Sequence, residues 1–370
     1  MYIRIRRGDY VVSSFIAAML LMLFNPAFGR KPDRKTQSRI KGSVNYKNNK
    51  FVNAIPTSTR MAMHNQLSVL WDFARGKPAD GRPSSPIELV MTDIENTKPS
   101  SDFNQAIWFG HSSVLIDLDG QRLLFDPMFG RSPFPFPKLG SKRFNDNLPI
   151  DVKNMPAIDA VFLSHDHYDH LDYYSIKHLK DKVGHFFVPL GVAGHLERWG
   201  VPRSNITQMD WWDELEWEGL KIVCTPARHV SGRSFLHKNQ TLWCSWSIIG
   251  LSGRVFFSGD SGYGPHFRQI GEKYGPFQLT FVECGQYDER WPDLHMFPEE
   301  SVQAHIDLNG ELMLPIHWAA FQLAPHGWLD PIHRVMIAAK KQSIKMAVPR
   351  MGESISLEGD NYPVNEWWSK

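Results

Sequence analysis

Cysteine is scarce in this chain. Its 370 residues hold three, Cys224, Cys244 and Cys284, far apart and without a Cys-x-x-Cys pair. No disulfide framework is expected from that spacing. Each falls within or at the end of an apolar, strand-like run, which predicts buried free thiols. Charge of one sign is also lacking. Lys and Arg total 41 against 39 Asp and Glu, so the balance gives no support to nucleic-acid binding. No internal repeat at solenoid spacing is visible. Long apolar runs are missing too: "YVVSSFIAAMLLMLF", residues 10–24, falls short of the ~20 residues that a spanning helix needs. What remains is ordinary globular composition, 42% hydrophobic and 22% charged, enough for a large core and one or two domains. Aromatics are plentiful at 12%, with 13 Trp. Some belong in the core, and others suit a boundary between water and lipid.

The short apolar run follows Arg4, Arg6 and Arg7. It suits the h-region of a signal peptide or a marginal anchor. Ala27-Phe28-Gly29 offers a cleavage site, but Arg30, Lys31, Arg34 and Lys35 follow at once, so the positive-inside bias points both ways. The expectation is membrane association on the cell-envelope, periplasmic side, with residues 1–29 as a targeting or anchor segment. Residues 30–100 read as an N-terminal extension. Within it, "MAMHNQLSVLWDF" places Met63, Leu67, Leu70, Trp71 and Phe73 at near-helical spacing, an amphipathic helix. "RGKPADGRPSSP" then breaks structure. Residues 101–360 form the main domain. "AIWFGHSSVLIDLDGQRLLFDP" reads as two strands joined at Asp119-Gly120, a hairpin signal. Further strands are "IDAVFLS", "HFFVPL", "LKIVCTP", "TLWCSWSIIG", "RVFFSGD", "LTFVEC" and "LMLPIHW". Helical stretches are expected near 192–199, 265–274, 298–308 and 332–341. Strands in two groups with helices interspersed predict two packed sheets sheathed by helices, an α/β fold of the αββα sandwich type.

The densest chemistry is "FLSHDHYDHLD". It sets three histidines and two aspartates between His165 and His170, directly after a strand. A polar turn explains one histidine but not His-x-His-x-Asp-His. Crowded imidazoles and carboxylates call for positive charge among them, and a divalent metal supplies it; imidazole with carboxylate suits zinc. The same residue types recur at strand ends: His229 after "IVCTPAR", Asp260 after "VFFSG" and His317 after "LMLPI". A strand end is rigid and the loop beyond it is open, which is where sites are built. Taken singly, these three are ordinary strand-end or turn residues. With the 165–170 loop they make five histidines and two aspartates, suited to two metals with water completing the shells.

The order His165-x-His167-x-Asp169-His170, His229, Asp260, His317 resembles the metallo-β-lactamase superfamily. "WFGHSSVLIDLDGQRLLFDPMF", "MDWWDEL", "LWCSWSIIG", "FFSGDSGY", "IGEKYGPF", "IHWAAFQLA" and "GES" look like the family of N-acyl-phosphatidylethanolamine-hydrolysing phospholipase D (NAPE-PLD), including its bacterial members. The resemblance covers roughly residues 100–355. It implies that His165, His167 and His229 hold one zinc, that Asp169, His170 and His317 hold a second, and that Asp260 bridges them. A bridging hydroxide would be the nucleophile, oriented by Asp169. It also implies that His295 in "WPDLHMFPEES" holds the substrate's phosphate; the alternative for that residue is a surface histidine at a helix entrance. The family's mammalian enzymes carry a Gln just before that histidine, where this chain has Leu294, which leaves headgroup preference open.

Other positions keep two readings. His111 in "WFGHSS" is expected to support the ligands rather than to be one. Tyr287, like Tyr263, could donate to a phosphate or simply pack; Tyr287 stands beside His295 as the substrate-binding candidate. The stretch 129–140, "FGRSPFPFPKLG", is either an apolar loop meeting acyl chains or a buried structural loop. The expected function is a di-zinc phosphodiesterase of phospholipase D type on glycerophospholipids at a membrane surface, with a homodimer compatible and no nucleic acid involved. The alternatives are a lactonase or other hydrolase of the same fold, and a membrane-attached, non-catalytic binding protein.

Overall fold

The computed structural model describes residues 24–59, 62–76, 78–95, 97–101, 103–234, 237–359 and 361–369. The apolar run 10–24 lies outside them except for Phe24. No helix of the described residues is long and apolar enough to cross a membrane.

The N-terminal extension lies along the domain. Helix Arg34–Gly42 is capped by Asp33, whose carboxylate accepts the Thr36 N–H. A short ladder follows, β1 (Tyr46–Lys47) against β2 (Lys50–Phe51). Phe51 is buried in the main core. Residues 25–29, assigned from sequence to the targeting segment, pack on the domain too: Trp199 Nε1 donates to the Pro26 carbonyl at 2.7 Å and Arg233 Nε to the Ala27 carbonyl at 2.8 Å.

Two mixed seven-stranded sheets form the body, as the αββα expectation requires. The first runs β16 (Ser354–Ser356), β3 (Gln105–Trp108), β4 (Val114–Leu118), β5 (Gln121–Phe125), β6 (Ile158–Phe162), β7 (Val183–Pro189), β8 (Ile206–Met209). The second runs β15 (Lys345–Met346), β14 (Gly310–Ile316), β13 (Phe277–Glu283), β12 (Arg254–Phe257), β11 (Ser245–Ile249), β10 (Leu220–Thr225), β9 (Glu214–Trp217). In each sheet one half is antiparallel and the other parallel.

Period-two alternation sorts the side chains. Trp108, Ile116, Leu123, Phe125 and Phe162 point between the sheets and meet Ile222, Trp246, Val255 and Phe257 in one cluster. Phe125 stacks on Phe162 at 4.8 Å and meets Phe257 at 5.0 Å. The alternate residues Ile107, Leu115, Leu124, Val161 and Phe186 face outward and bury against Ile176, Leu179 and Leu196 of the covering helices. At the β4–β5 turn, Asp119 and Gly120 both have positive φ, 49° and 78°, as a tight two-residue hairpin demands. Cys224, Cys244 and Cys284 are free and buried, as expected. The sequence-read helices are found at Ala193–Arg198, His266–Tyr274, Pro298–Asp307 and Asp330–Lys341.

Candidate metal centre

The C-terminal ends of β6, β10, β12, β13 and β14 converge at one edge of the sandwich. Strand ends of an α/β sheet are where ligands are met, because the carboxyl ends open onto loops. Beyond β6 comes the 165–170 loop. It is pinned by Asp126, whose Oδ1 accepts the Ser164 N–H at 2.7 Å and whose Oδ2 faces His170 Nδ1 at 2.7 Å. Asp172 ends the loop and starts helix Tyr173–Leu179 by accepting the Tyr174 and Ser175 N–H groups, a role that aspartate favours at helix starts. Asp260 arrives from β12 between two glycines with steric work to do. Gly259 has φ +57°, and a Cβ there would lie 2.5 Å from Ser164 Cβ. A Cβ on Gly262 would lie 2.0 Å from the Asp293 carbonyl. These two close approaches press the "GDSGY" loop against both the first histidine loop and the segment carrying His295.

The ligand atoms fall into clusters. His165, His167, His229 and Asp260 form one group, and His111, Asp169, His170 and His317 another, the atoms in each within 4.8 Å of one another. In the first, His165 Nε2 lies 2.9 Å from His167 Nδ1, and His229 Nε2 lies 3.3 Å from the same atom. Asp260 Oδ2 is 3.7 Å from His165 Nε2 and 3.6 Å from His229 Nε2. A tetrahedral ion bound at about 2.0 Å has ligand–ligand edges of about 3.3 Å, and these four distances bracket that value. Asp260 turns its other oxygen to the second group: Oδ1 is 3.1 Å from His170 Nε2 and 3.2 Å from His317 Nδ1. His170 Nε2 and Asp260 Oδ1 are also buried with no hydrogen-bond partner. Orphaned buried polar atoms are rare in a folded protein and call for an unseen partner. A cation between them satisfies both.

The outer ring nitrogens support the same assignment. His229 Nδ1 faces the Leu294 carbonyl at 2.8 Å. A carbonyl only accepts, so Nδ1 carries the proton and Nε2 presents a lone pair to the cluster. Burial, with neighbouring imidazoles, holds His165 well below its ordinary value; burial likewise depresses His167, His229 and His317 against the pull of Asp260. Neutral imidazole is the form that binds metal. His170 differs. Burial opposes its charge, but Asp260, Asp169 and Asp126 outweigh it and hold it well above the ordinary range.

All seven sequence-read metal residues are therefore brought together. His111 lies among them: its Nε2 is 3.0 Å from Asp169 Oδ2, and its ring is 4.2 Å from that of His317. Both His111 and His317 hold left-handed backbone, φ 53° and 69°. They are locked by mutual bonds, His111 N–H to the Trp318 carbonyl and His317 N–H to the His111 carbonyl. Such strain persists only where the surroundings over-determine it.

His295 also comes to the cluster. Its ring stacks on that of His317 at 5.3 Å and meets His229 edge-on at 5.0 Å. Its Nδ1 lies 2.8 Å from Glu283 Oε2. Glu283, fully buried at the end of β13, also accepts the Ser261 N–H. Sequence reading missed it. The signal was a lone carboxylate in the apolar run "FVEC", which burial makes expensive unless it is paired. Burial opposes charge on both partners; the Glu283 carboxylate nonetheless holds His295 above the ordinary imidazole range.

Tyr287 requires correction as a substrate-binding candidate. Its hydroxyl donates to the Asp330 carboxylate and its ring stacks on His326 at 4.6 Å, so that donor is already committed. Tyr263 likewise donates to Asp307. The 129–140 stretch contributes Phe129, Phe134 and Pro137 to a cavity of about 780 Å³ that also touches Tyr168 and Arg233 but none of the seven metal residues.

Comparison with known proteins agrees with this geometry. Residues 121–318 match the family model described as a beta-lactamase superfamily domain. An uncharacterised protein of Mycobacterium tuberculosis is 40% identical over 331 residues, covering 88% of this chain and 87% of its own length. The N-acyl-phosphatidylethanolamine-hydrolyzing phospholipase D 1 of Caenorhabditis elegans is 32% identical over 230 residues, covering 59% of this chain and 64% of that protein. Among solved structures, Igni18, a metallo hydrolase of Ignicoccus hospitalis, superposes with a TM-score of 0.52 at 21% identity, covering 70% of this chain and 99% of that one. That likeness speaks for the fold. Matched over more than half its length, the chain belongs to the beta-lactamase superfamily and carries the His and Asp clusters of a metal-dependent hydrolase.

Proposed function

We propose that the protein is a di-zinc phosphodiesterase of the NAPE-PLD type, bacterial branch, which cleaves glycerophospholipids between phosphorus and the headgroup alcohol at a membrane surface. The observation that carries this reading is His295. It sits over His229 and His317, one from each cluster, and is backed by a buried carboxylate. An imidazole backed there by a buried carboxylate suits an anionic phosphoryl group better than a neutral ester or lactone carbonyl. The named activity of the Caenorhabditis elegans relative supports the same chemistry.

His165, His167, His229 and Asp260 would hold one zinc, and Asp169, His170, His317 and Asp260 the other. When bound, the pair lowers the pKa of water and neutralises phosphoryl charge. The chain's own groups do the rest. Glu283 takes Nδ1 of His295, which leaves Nε2 as the donor to a phosphate oxygen. Asp169, steadied by His111 at 3.0 Å, accepts the proton of the attacking water. One water is consumed: its oxygen ends on phosphorus, and a proton goes to the departing alcohol. The headgroup would leave past Leu294, whose carbonyl is tied to His229 and whose neighbours in a shallow groove are Arg290 and Trp291.

Hydrolysis of N-acyl-phosphatidylethanolamine vesicles in oxygen-18 water tests the reading. The label is expected on phosphatidic acid, with release of the N-acylethanolamine. Label in a carboxylate product, or turnover of a lactone without turnover of lipid, overturns it.

A further inference from the structure

Helix Met63–Ala74 is built inside out. None of its residues is buried. Its large apolar side chains are the exposed ones: Met63 at 77%, Leu67 at 61%, Leu70 at 65%, Trp71 at 58% and Phe73 at 37%. Met63, Leu67, Leu70 and Trp71 follow the spacing i, i+4, i+7, i+8, which sets them in one stripe. The side that meets the domain is instead Asn65, Val69 and Asp72, each half-buried. Arg290 Nη1 clasps Ser68 Oγ and Asp72 Oδ2, both at 2.9 Å. Arg75, just past the helix, lies over the Trp71 ring at 4.5 Å. An ordinary surface helix turns its apolar stripe inward. This one is fastened by its polar side and shows its apolar side outward.

From this inversion we infer that the outward stripe of helix Met63–Ala74 inserts into the interfacial layer of a phospholipid bilayer and sets the metal cleft against the membrane. Two observations select a bilayer over a second copy of the chain. The first is area. Twelve residues make a helix about 18 Å long and about 10 Å wide, well short of the ~800 Å² per partner of a stable protein interface. A bilayer needs no such area from one element, because a helix lying in the interface plane sinks its apolar side below the headgroups. Trp71 with Arg75 against its ring is the amphipathic pairing that sits at headgroup level. The second is continuity with the site. The clasp on the helix is Arg290, and a groove of about 390 Å³ runs from Gln66 past Lys238, Arg290 and Trp291 to Leu294. Leu294 precedes His295 and bonds His229 through its carbonyl. A lipid headgroup rising beside the stripe enters that groove directly.

The inference rests on the lipid reading above for the identity of the surface, but its test is independent of hydrolysis. Leu67→Cys in the full chain is labelled with an environment-sensitive dye; the three native cysteines are buried. Vesicles of phosphatidylcholine with phosphatidylglycerol are added in the presence of a chelator. The expected result is a blue shift with vesicles, quenching by lipids spin-labelled near the headgroup, and no shift without lipid at any protein concentration. A dye that stays water-exposed with vesicles overturns the inference, whether or not the protein sediments with them. A shift that appears without lipid also overturns it: one that grows with protein concentration assigns the stripe to a second copy, and one that does not assigns it to another part of this chain. A functional readout accompanies the binding test. Leu67→Ser/Leu70→Ser/Trp71→Ser should lower turnover of vesicle lipid at least tenfold relative to a monomeric short-chain phosphodiester, whose turnover it leaves unchanged. A protein that docks in this way yet cleaves no phosphodiester refutes the proposed function and not the docking.

Discussion

Asp260→Asn is the sharpest test of the metal centre, because one side chain faces both clusters. Its Oδ2 lies 3.6–3.7 Å from His165 and His229, and its Oδ1 3.1–3.2 Å from His170 and His317. Asparagine has nearly the same volume but only one oxygen, and its amide nitrogen has no lone pair to give. One cluster therefore loses an oxygen ligand, and both lose a negative charge. Loss of a mere supporting partner to a ligand typically weakens binding 10–100-fold. Loss of a ligand should exceed that, by at least ~100-fold or about 2.8 kcal/mol for the affected site. The assay is zinc titration of chelator-stripped protein against a chromophoric competitor, with elemental analysis after dialysis. Wild type should retain close to two ions per chain and the variant one or fewer, with circular dichroism unchanged. Two ions held with wild-type affinity by Asp260→Asn would refute the shared-ligand argument.

Two further outcomes follow from groups around the site and in the core. Glu283→Gln keeps the volume but removes the charge behind His295. Phospholipid kcat/KM should fall about 10–100-fold while metal content stays unchanged, and adding Glu283→Gln to His295→Ala should cost nothing more; additive losses would separate the two residues. In acid, His266 and His305 should destabilise the metal-free fold. Burial pushes them down to about 3 and about 4 respectively. Above pH ~6.5 neither the folded nor the unfolded form binds these protons. Between there and the folded values only the unfolded chain does, so stability falls with pH by about 1.4 kcal/mol per unit for each residue. Urea unfolding in chelator should show a steep decline as pH falls below ~6.5; equal midpoints at pH 7 and 5 would contradict the burial of these imidazoles as neutral groups.

Much of this was legible in the sequence, for local reasons. The histidine loop and the hairpin at Asp119-Gly120 are short-range signals, and the residues at the ends of apolar runs are strand ends wherever the runs are strands. What stayed hidden is non-local. Nothing in "SIS" at Ser354–Ser356 reveals that it pairs with Gln105–Ile107 at the far end of the chain. Periodicity finds the apolar stripe of Met63–Ala74 but not the side from which Arg290 fastens it. Glu283 was hidden because a strand-like run accounts for its neighbours, and only its burial beside His295 gives it a role. Tyr287 misled for a similar reason: residue type allowed a phosphate donor, and Asp330 had already taken the hydroxyl.

The backbone latch between His111 and His317 ties completion of the second cluster to the late part of the chain. The 165–170 loop leaves the ribosome first, and His317 follows about 150 residues later, roughly 8–30 s at ordinary elongation rates. Until then the His111 carbonyl lacks the His317 N–H and β3 lacks its edge partner β16. A nascent chain ending before residue 317 can hold the His165, His167, His229 and Asp260 group whole, but the other group only without His317. The group of His111, Asp169, His170 and His317 is complete only after the last strands have closed the sandwich.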